Sequence, residues 1–169
     1  MIDRLIIFDA DGTLRRCTVP GQPCPNNPGE WELLPGVRNR LAQIDWRTTG
    51  FAIASNQGGV GLGFLDVQVA VDMLAATGLA ALDGTDGVVN VFCCTHAPNA
   101  GCDCRKPAPG LLLRAMRVFG VTPVQTLMVG DMDSDRVAAH RAGCSYQDAW
   151  AFFGWPRPSD VVANAAAMR

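Results

Sequence analysis

The chain has 169 residues and a formal net charge of −2, and 49% of its residues are apolar and 18% charged. These values are typical of one globular domain and exclude a disordered, fibrous or low-complexity protein. The longest uncharged stretch, residues 48–65, contains polar side chains and five glycines, so we predict no transmembrane helix.

In chain order, strand-like apolar segments alternate with segments of helical periodicity, which is typical of a parallel sheet covered by helices on both faces. The predicted elements are a strand at 5–8, a helix that begins at Pro35, a strand at 51–55, a helix at 66–77, a strand at 88–93, a helix at 109–119, a strand at 126–129 and a helix at 133–142.

Two segments depart from this alternation. Residues 15–30 contain four prolines and several Gly and Asn residues, so we expect an irregular excursion without strand or helix, which would form a flap over a ligand site. The sequence from Trp155 onwards predicts a turn and a short docked helix. Since no long linker or repeat is present, we predict a single domain over residues 1–169.

The cellular setting and partners follow from charge and cysteine content. Residues 1–4 lack the basic and long apolar stretches of an export signal, so we expect a cytoplasmic protein. Seven cysteines in such a protein favour reduced thiols or a metal site over disulfides. Without a basic run, binding to duplex nucleic acid or to a membrane is not expected, and we expect a monomer.

Two carboxylates follow the first predicted strand. Side chains alternate along a strand, so Asp9 and Asp11 lie on the same side, and Gly12 permits a tight turn beside them. The carboxyl edge of an open parallel α/β sheet is where ligands bind. Taken alone, Asp-x-Asp-Gly-Thr also fits an ordinary polar turn.

Three further segments offer phosphate-binding and metal-binding chemistry. Ser55 and Asn56 precede a glycine-rich turn that presents a hydroxyl and backbone N–H groups. Lys106, the single lysine of the chain, lies just before a predicted helix and would neutralise an anion. Asp131 and Asp135 follow the fourth predicted strand and offer carboxylate oxygens suited to Mg²⁺.

These four motifs, in this order over about residues 4–146, resemble the haloacid dehalogenase (HAD) superfamily of aspartate-nucleophile phosphotransferases. The resemblance implies a Rossmann-like parallel sheet of strand order 5-4-1-2-3 with a minimal cap. It also implies an Mg²⁺-dependent phosphomonoester hydrolase. Asp9 would be the nucleophile that forms an aspartyl-phosphate, and Asp11 would be the general acid and base. Mg²⁺ would be held by Asp9, the Asp11 carbonyl and Asp131.

The same resemblance assigns the phosphate-binding groups. Ser55, the Asn56 backbone and Lys106 would bind the phosphoryl oxygens, and Asp135 would orient Lys106 from behind. One departure from close relatives is Ala10, which stands where those relatives usually have arginine. Because both carboxylates of the motif are intact, the chemistry should survive this change.

A second metal site is indicated by Cys94, His96, Cys102 and Cys104. Three thiolates and one imidazole are a ligand set that suits tetrahedral Zn²⁺, and a full set of protein ligands makes the site structural. The alternative is a loop of incidental thiols. Cys93 is an adjacent competing ligand, although it fits the third predicted strand.

This loop, followed by Arg105, is similar to the zinc-containing HAD branch of heptose-bisphosphate and histidinol-phosphate phosphatases. The resemblance implies a small phosphorylated metabolite as substrate, a sugar bisphosphate or histidinol phosphate, and a role in carbohydrate metabolism, with Arg105 binding a second anionic group. The segment from Asn27 to Trp31 also resembles polynucleotide 3′-phosphatases, which leaves DNA or RNA ends as an alternative substrate. A third hypothesis is a binding module that is stabilised by zinc and has no catalytic activity. The intact Asp9 and Asp11 argue against it.

Overall fold

Strands and helices alternate along residues 1–157, the part of the chain that the computed structural model describes. The short helix predicted in the tail after Pro158 lies outside these residues. Among those described, no helix has the length and apolarity needed to cross a bilayer. The strands are β1 (Arg4–Phe8), β2 (Arg15–Cys17), β3 (Trp31–Leu33), β4 (Thr49–Asn56), β5 (Val89–Cys94), β6 (Thr126–Gly130) and β7 (Ser145–Asp148). The helices are α1 (Val37–Leu41), α2 (Gly58–Gly61), α3 (Val67–Ala81), α4 (Gly110–Phe119), α5 (Asp133–Ala142) and α6 (Ala149–Phe153).

Five strands form the main sheet in the order β5-β4-β1-β6-β7, and every neighbouring pair is parallel. If these five strands are numbered 1 to 5 along the chain and the sheet is read from its β7 edge, their order is 5-4-1-2-3, as predicted. The α/β fold class is therefore confirmed. The apolar strands β1 and β4 occupy the middle of the sheet and are almost entirely buried, as both faces are covered by helices.

The helices form where capping residues and apolar spacing predict them. Asp66 caps α3 by accepting hydrogen bonds from the backbone N–H groups of residues 68 and 69. In α4 four apolar side chains are buried, while Arg114 and Arg117 are exposed together with Leu113 and Val118; the buried four are Leu111, Leu112, Ala115 and Met116. Gly120 ends the helix with a φ of 66°. In α3 the buried face is carried by Ala70, Met73 and Leu74, whereas Val67 is exposed.

The segment from 15 to 30 is more regular than predicted. Arg15–Cys17 pairs with Trp31–Leu33 as a two-stranded antiparallel sheet, so the expectation of no regular element was wrong at its first residues. The reason is that the prolines begin only at Pro20, which leaves residues 15–17 free to pair. We call residues 18–30, which connect the two strands, the flap.

The edge strand β7 had no sequence signal of its own. Its residues Ser-Tyr-Gln-Asp are polar and only partly buried, so they lack the apolar run by which the other four strands were predicted. It pairs with β6, and Tyr146 donates a hydrogen bond to the Gly130 carbonyl.

Candidate active site

The carboxyl ends of β1, β4 and β6 open into a cleft of about 480 Å³. Parallel strands end at the same sheet edge, so the segments that follow them meet there. The floor of the cleft contains Asp9, Ser55, Lys106 and Asp135, and Pro23 and Cys24 of the flap form part of its wall.

Lys106 is the electrostatic centre of the cleft floor. Its buried ammonium lies 2.6 Å from Asp9 Oδ1 and 2.6 Å from Asp135 Oδ1, and it donates to the Ala54 carbonyl at 2.6 Å. Burial alone lowers the pKa of Lys106, but Asp9 and Asp135 outweigh this effect and raise it above its usual value. The side chain is therefore a fixed positive charge.

The carboxylates around Lys106 form a group that suits a hard cation. Oxygens of Asp9, Asp131 and Asp135 lie within 4.8 Å of one another. Burial raises the pKa of Asp9 to about 7, although Lys106 opposes the rise, and burial also raises the pKa of Asp131. A divalent cation would favour the ionised form of both groups, and oxygen donors are what Mg²⁺ prefers.

Within this group, Asp135 is already committed to protein donors. One of its oxygens pairs with Lys106 and the other accepts the Met132 backbone N–H at 3.1 Å. Asp131 accepts from the Thr13 hydroxyl at 3.2 Å and closely approaches Gly12, where a Cβ would collide with the carboxylate. Among the described residues, Asp9 and Asp131 each contact a protein donor through one side-chain oxygen, whereas Asp135 contacts Lys106 and Met132 through both, so Asp9 and Asp131 suit a metal better.

Asn56 supports Lys106 through its side chain, a contact that the sequence does not signal. Its Oδ1 accepts the Lys106 backbone N–H at 2.9 Å, and its Nδ2 donates to the Lys106 carbonyl at 2.9 Å. The two residues are 50 positions apart, so only the fold brings them together. The predicted contribution of Asn56 was limited to its backbone.

Asp11 has two neighbours that the sequence predictions did not include. Arg15, which is fully buried, pairs with Asp11 at 2.7 Å. Gln57, also buried, donates to the Ser55 hydroxyl at 2.8 Å and to Asp11 Oδ2 at 3.3 Å. The one sequence hint was the spacing of four residues between Asp11 and Arg15.

The flap is held in shape by Glu30. Its carboxylate accepts hydrogen bonds from the backbone N–H groups of Asn26 and Asn27, and from the side chains of Asn27 and Gln22. The side-chain bond from Asn27 is the main cause that lowers the pKa of Glu30 to about 2. The flap is thus an ordered loop despite its prolines.

Cys94, His96, Cys102 and Cys104 come together as predicted. The Cys94 sulfur lies 3.5 Å from His96 Nδ1 and 3.6 Å from the Cys102 sulfur, and the Cys104 sulfur lies 3.3 Å from His96 Nδ1. A tetrahedral zinc with bonds of about 2.3 Å to sulfur and about 2.0 Å to nitrogen requires ligand atoms about 3.5–3.8 Å apart. The four residues fit that ion, whereas Cys93 lies in β5 and is not part of the group.

Arg105 connects this cysteine cluster to the cleft. Its backbone N–H lowers the pKa of the Cys102 thiol, and its side chain lies along the cleft wall. The buried Nη1 of Arg105 has no hydrogen-bond partner among the described residues. A buried guanidinium nitrogen without a partner is costly, so this position suits a bound anionic oxygen.

Comparisons with known proteins agree that this chain is similar to HAD phosphatases. A family model described as HAD-hydrolase-like matches residues 103–146. The D-glycero-β-D-manno-heptose-1,7-bisphosphate 7-phosphatase of Bordetella bronchiseptica is 35% identical over 146 residues, which cover 84% of this chain and 78% of that protein. The histidine biosynthesis bifunctional protein HisB of Legionella pneumophila is 26% identical over 96% of this chain and 46% of its own length.

A solved structure shows the same architecture. The D,D-heptose 1,7-bisphosphate phosphatase from B. bronchiseptica, complexed with magnesium and phosphate, has a TM-score of 0.73 and 28% sequence identity to this chain. The alignment covers 98% of this chain and 99% of that one.

Proposed function

Because this chain belongs to the HAD superfamily of phosphatases and resembles its heptose-bisphosphate and histidinol-phosphate branch, we propose that it is an Mg²⁺-dependent phosphatase of a sugar bisphosphate. The observation that carries this proposal is the buried Asp9–Lys106–Asp135 arrangement on the cleft floor, with 2.6 Å from the ammonium to each carboxylate. This arrangement holds a nucleophile and a phosphate-binding cation side by side.

In the first step, Asp9 attacks phosphorus in line and forms an aspartyl-phosphate. Asp11 gives its proton to the departing oxygen. Ser55, the Asn56 backbone N–H and Lys106 bind the phosphoryl oxygens and stabilise the transition-state charge. When bound by Asp9, the Asp11 carbonyl and Asp131, Mg²⁺ would offset the repulsion between an anionic nucleophile and an anionic substrate.

In the second step, Asp11 takes a proton from water, and the resulting nucleophile releases phosphate from Asp9. Asp135 keeps Lys106 in place through both steps because its two oxygens are bound to Lys106 and to the Met132 backbone. Lys106 in turn keeps its position because Asn56 holds its backbone on both sides.

The Arg105 side chain favours a substrate that carries a second anionic group, such as a sugar bisphosphate. Arg105 lines the same cleft as Asp9, and a second phosphate of a bisphosphate would give its guanidinium, whose buried Nη1 has no partner among the described residues, an acceptor. A cationic amine, as in histidinol phosphate, would be repelled there. The relatives that resemble this chain include phosphatases named for heptose 1,7-bisphosphate.

The cysteine cluster has a structural role in this proposal. Zn²⁺ bound to Cys94, His96, Cys102 and Cys104 would fix the chain segment that leads into Arg105 and Lys106. We propose that the whole chain works as one catalytic domain, a cytoplasmic monomer, and that the flap is the cover that residues 1–157 provide for the cleft.

The test is phosphate release in Mg²⁺ from sugar bisphosphates, histidinol phosphate, nucleotides and 3′-phosphorylated oligonucleotides. We expect a sugar bisphosphate to have the highest kcat/KM and Asp9→Asn to abolish turnover. Full activity of Asp9→Asn would overturn the mechanism. An oligonucleotide that exceeds every small metabolite would overturn the substrate assignment.

A further inference from the structure

We infer that Arg15 is the positioning residue of Asp11, holding Asp11 Oδ1 in place and leaving Oδ2 as the oxygen that exchanges the catalytic proton. This inference rests on the proposed function, since it takes Asp11 as the acid and base. Arg15 itself lies behind Asp11 and does not line the cleft.

The first support is the way in which Arg15 is held. Its side chain is fully buried, and its Nη1 donates to the Thr77 hydroxyl of α3 at 3.1 Å. The Thr77 hydroxyl donates in turn to the Met73 carbonyl at 2.8 Å, so it is oriented to accept from Arg15. On another side, the guanidinium carbon lies 5.9 Å from the centre of the Trp31 ring. These contacts from two elements fix the guanidinium plane.

The second support is charge. A buried guanidinium requires an opposite charge close by, and among the described residues the carboxylate paired with Arg15 is Asp11. The pairing carboxylate is thus a residue of the cleft rather than a structural acid elsewhere. A purely structural anchor for β2 would not need the catalytic acid as its partner.

The third support is the asymmetry between the two Asp11 oxygens. Arg15 Nε lies 2.7 Å from Oδ1, a short charge-assisted bond. Oδ2 receives two longer contacts, each of 3.3 Å, from Arg15 Nη2 and from Gln57 Nε2. Gln57 keeps a shorter bond to Ser55, so it loses little when Oδ2 turns away.

This asymmetry assigns the proton transfers. In the first step the O–H bond on Oδ2 breaks, and its proton goes to the leaving oxygen as the P–O bond breaks towards that oxygen. In the second step a water O–H bond breaks and its proton returns to Oδ2, while the hydroxide forms a bond to phosphorus and the bond between phosphorus and the Asp9 oxygen breaks, which frees the Asp9 carboxylate and releases phosphate. Throughout, the Nε contact keeps Oδ1 in place, so the carboxyl group pivots about a fixed oxygen.

The experiment compares two substrates with Arg15→Gln and Arg15→Lys. An alkyl phosphate such as a sugar phosphate needs a proton on its leaving oxygen, whereas p-nitrophenyl phosphate has a leaving group that departs without one. We expect Arg15→Gln to lower kcat/KM, which reports the first step and not the hydrolysis step that both substrates share, about 10- to 100-fold more for the alkyl substrate than for the aryl substrate. Arg15→Lys, which keeps the charge, should recover part of that difference.

Two matched variants separate positioning from general damage. Arg16 is the next residue in β2, is exposed and pairs with Glu32, so Arg16→Gln should leave the ratio of the two rates unchanged. Thr77→Val removes the Nη1 anchor but not the pair with Asp11, so it should shift the ratio in the same direction by a smaller factor. If Arg15→Gln fails to fold, Arg15→Lys and Thr77→Val still give the measurement.

A double-mutant cycle completes the test. Asp11→Asn alone should show the same selective loss on the alkyl substrate, and adding Arg15→Gln should not increase it. If Arg15 variants lower both rates equally while Asp11→Asn acts selectively, Arg15 is merely structural and this inference is wrong. If Asp9→Asn is fully active, the proposed function fails instead, independently of Arg15.

Discussion

Replacing Lys106 by methionine would leave two buried carboxylates without their shared cation. The Lys106 ammonium lies 2.6 Å from both Asp9 and Asp135, and all three side chains are buried. Breaking a buried ion pair by removing one partner costs about 3–5 kcal/mol. For a protein of this size that corresponds to a Tm lower by about 6–20 °C.

The loss should depend on pH in a defined direction. Burial already raises the pKa of Asp9 to about 7, and removal of Lys106 raises it further because an opposing positive charge disappears. A carboxyl whose folded-state pKa lies above its unfolded value destabilises the protein as pH rises through the folded-state value. Lys106→Met should therefore cost more at pH 8 than at pH 5, where protonation relieves the repulsion.

Urea denaturation of protein that keeps its Zn²⁺ but has no added Mg²⁺ measures the effect at these two pH values. Arg114→Met is the matched control, since Arg114 is exposed on α4 and should cost less than about 0.5 kcal/mol at either pH. The reasoning is refuted if the Lys106 variant loses less than about 1 kcal/mol or if its loss is the same at pH 5 and pH 8.

Three further predictions concern the zinc ligands, Arg105 and the flap. Protein purified without added zinc should carry one Zn²⁺ per chain by metal analysis, and Cys102→Ser should lose it together with thermal stability; a folded wild-type chain without zinc contradicts this. Arg105→Ala should lower kcat/KM for a sugar bisphosphate about 10- to 100-fold, as expected for one charge-assisted contact of about 1.5–3 kcal/mol, and change p-nitrophenyl phosphate hydrolysis much less. Equal losses on both substrates would argue against a second anion site. The pKa of Glu30 is lowered from 4.5 to about 2, so its stabilising contribution is present above about pH 4.5 and disappears as pH falls towards 2. Flap proteolysis should distinguish Glu30→Gln from wild type at pH 7 and progressively less below pH 4.5; a difference that persists unchanged down to pH 2 would contradict the role of this carboxylate.

The fold class and the phosphatase class were predictable because both depend on local patterns repeated along the chain. Apolar runs in β1, β4 and β6 end in polar motifs, and parallel topology then brings those motifs to one edge. The cysteine cluster was predictable for a similar reason, since its ligands lie in one short loop. The roles of the individual site residues stay predictions.

What the sequence did not reveal are contacts between distant segments. Arg15 was placed in an irregular excursion because the prolines after it dominated the local pattern, although Arg15–Cys17 pairs with β3. Gln57 and the side chain of Asn56 resemble ordinary turn residues until Asp11 and Lys106 lie beside them. Polar residues whose partners are far along the chain leave no periodic signal.

The carboxylate of Glu30 takes its hydrogen bonds from residues 22, 26 and 27, all within the flap. The hydrogen bonds of Glu30 that stabilise the flap conformation therefore come from within the flap, which connects two short strands. Such a segment is exchangeable as a unit: a different loop of similar span would join the same strands while the floor around Asp9 kept its geometry. Replacement of the flap can then change substrate preference in this fold while the catalytic residues around Asp9 stay in place.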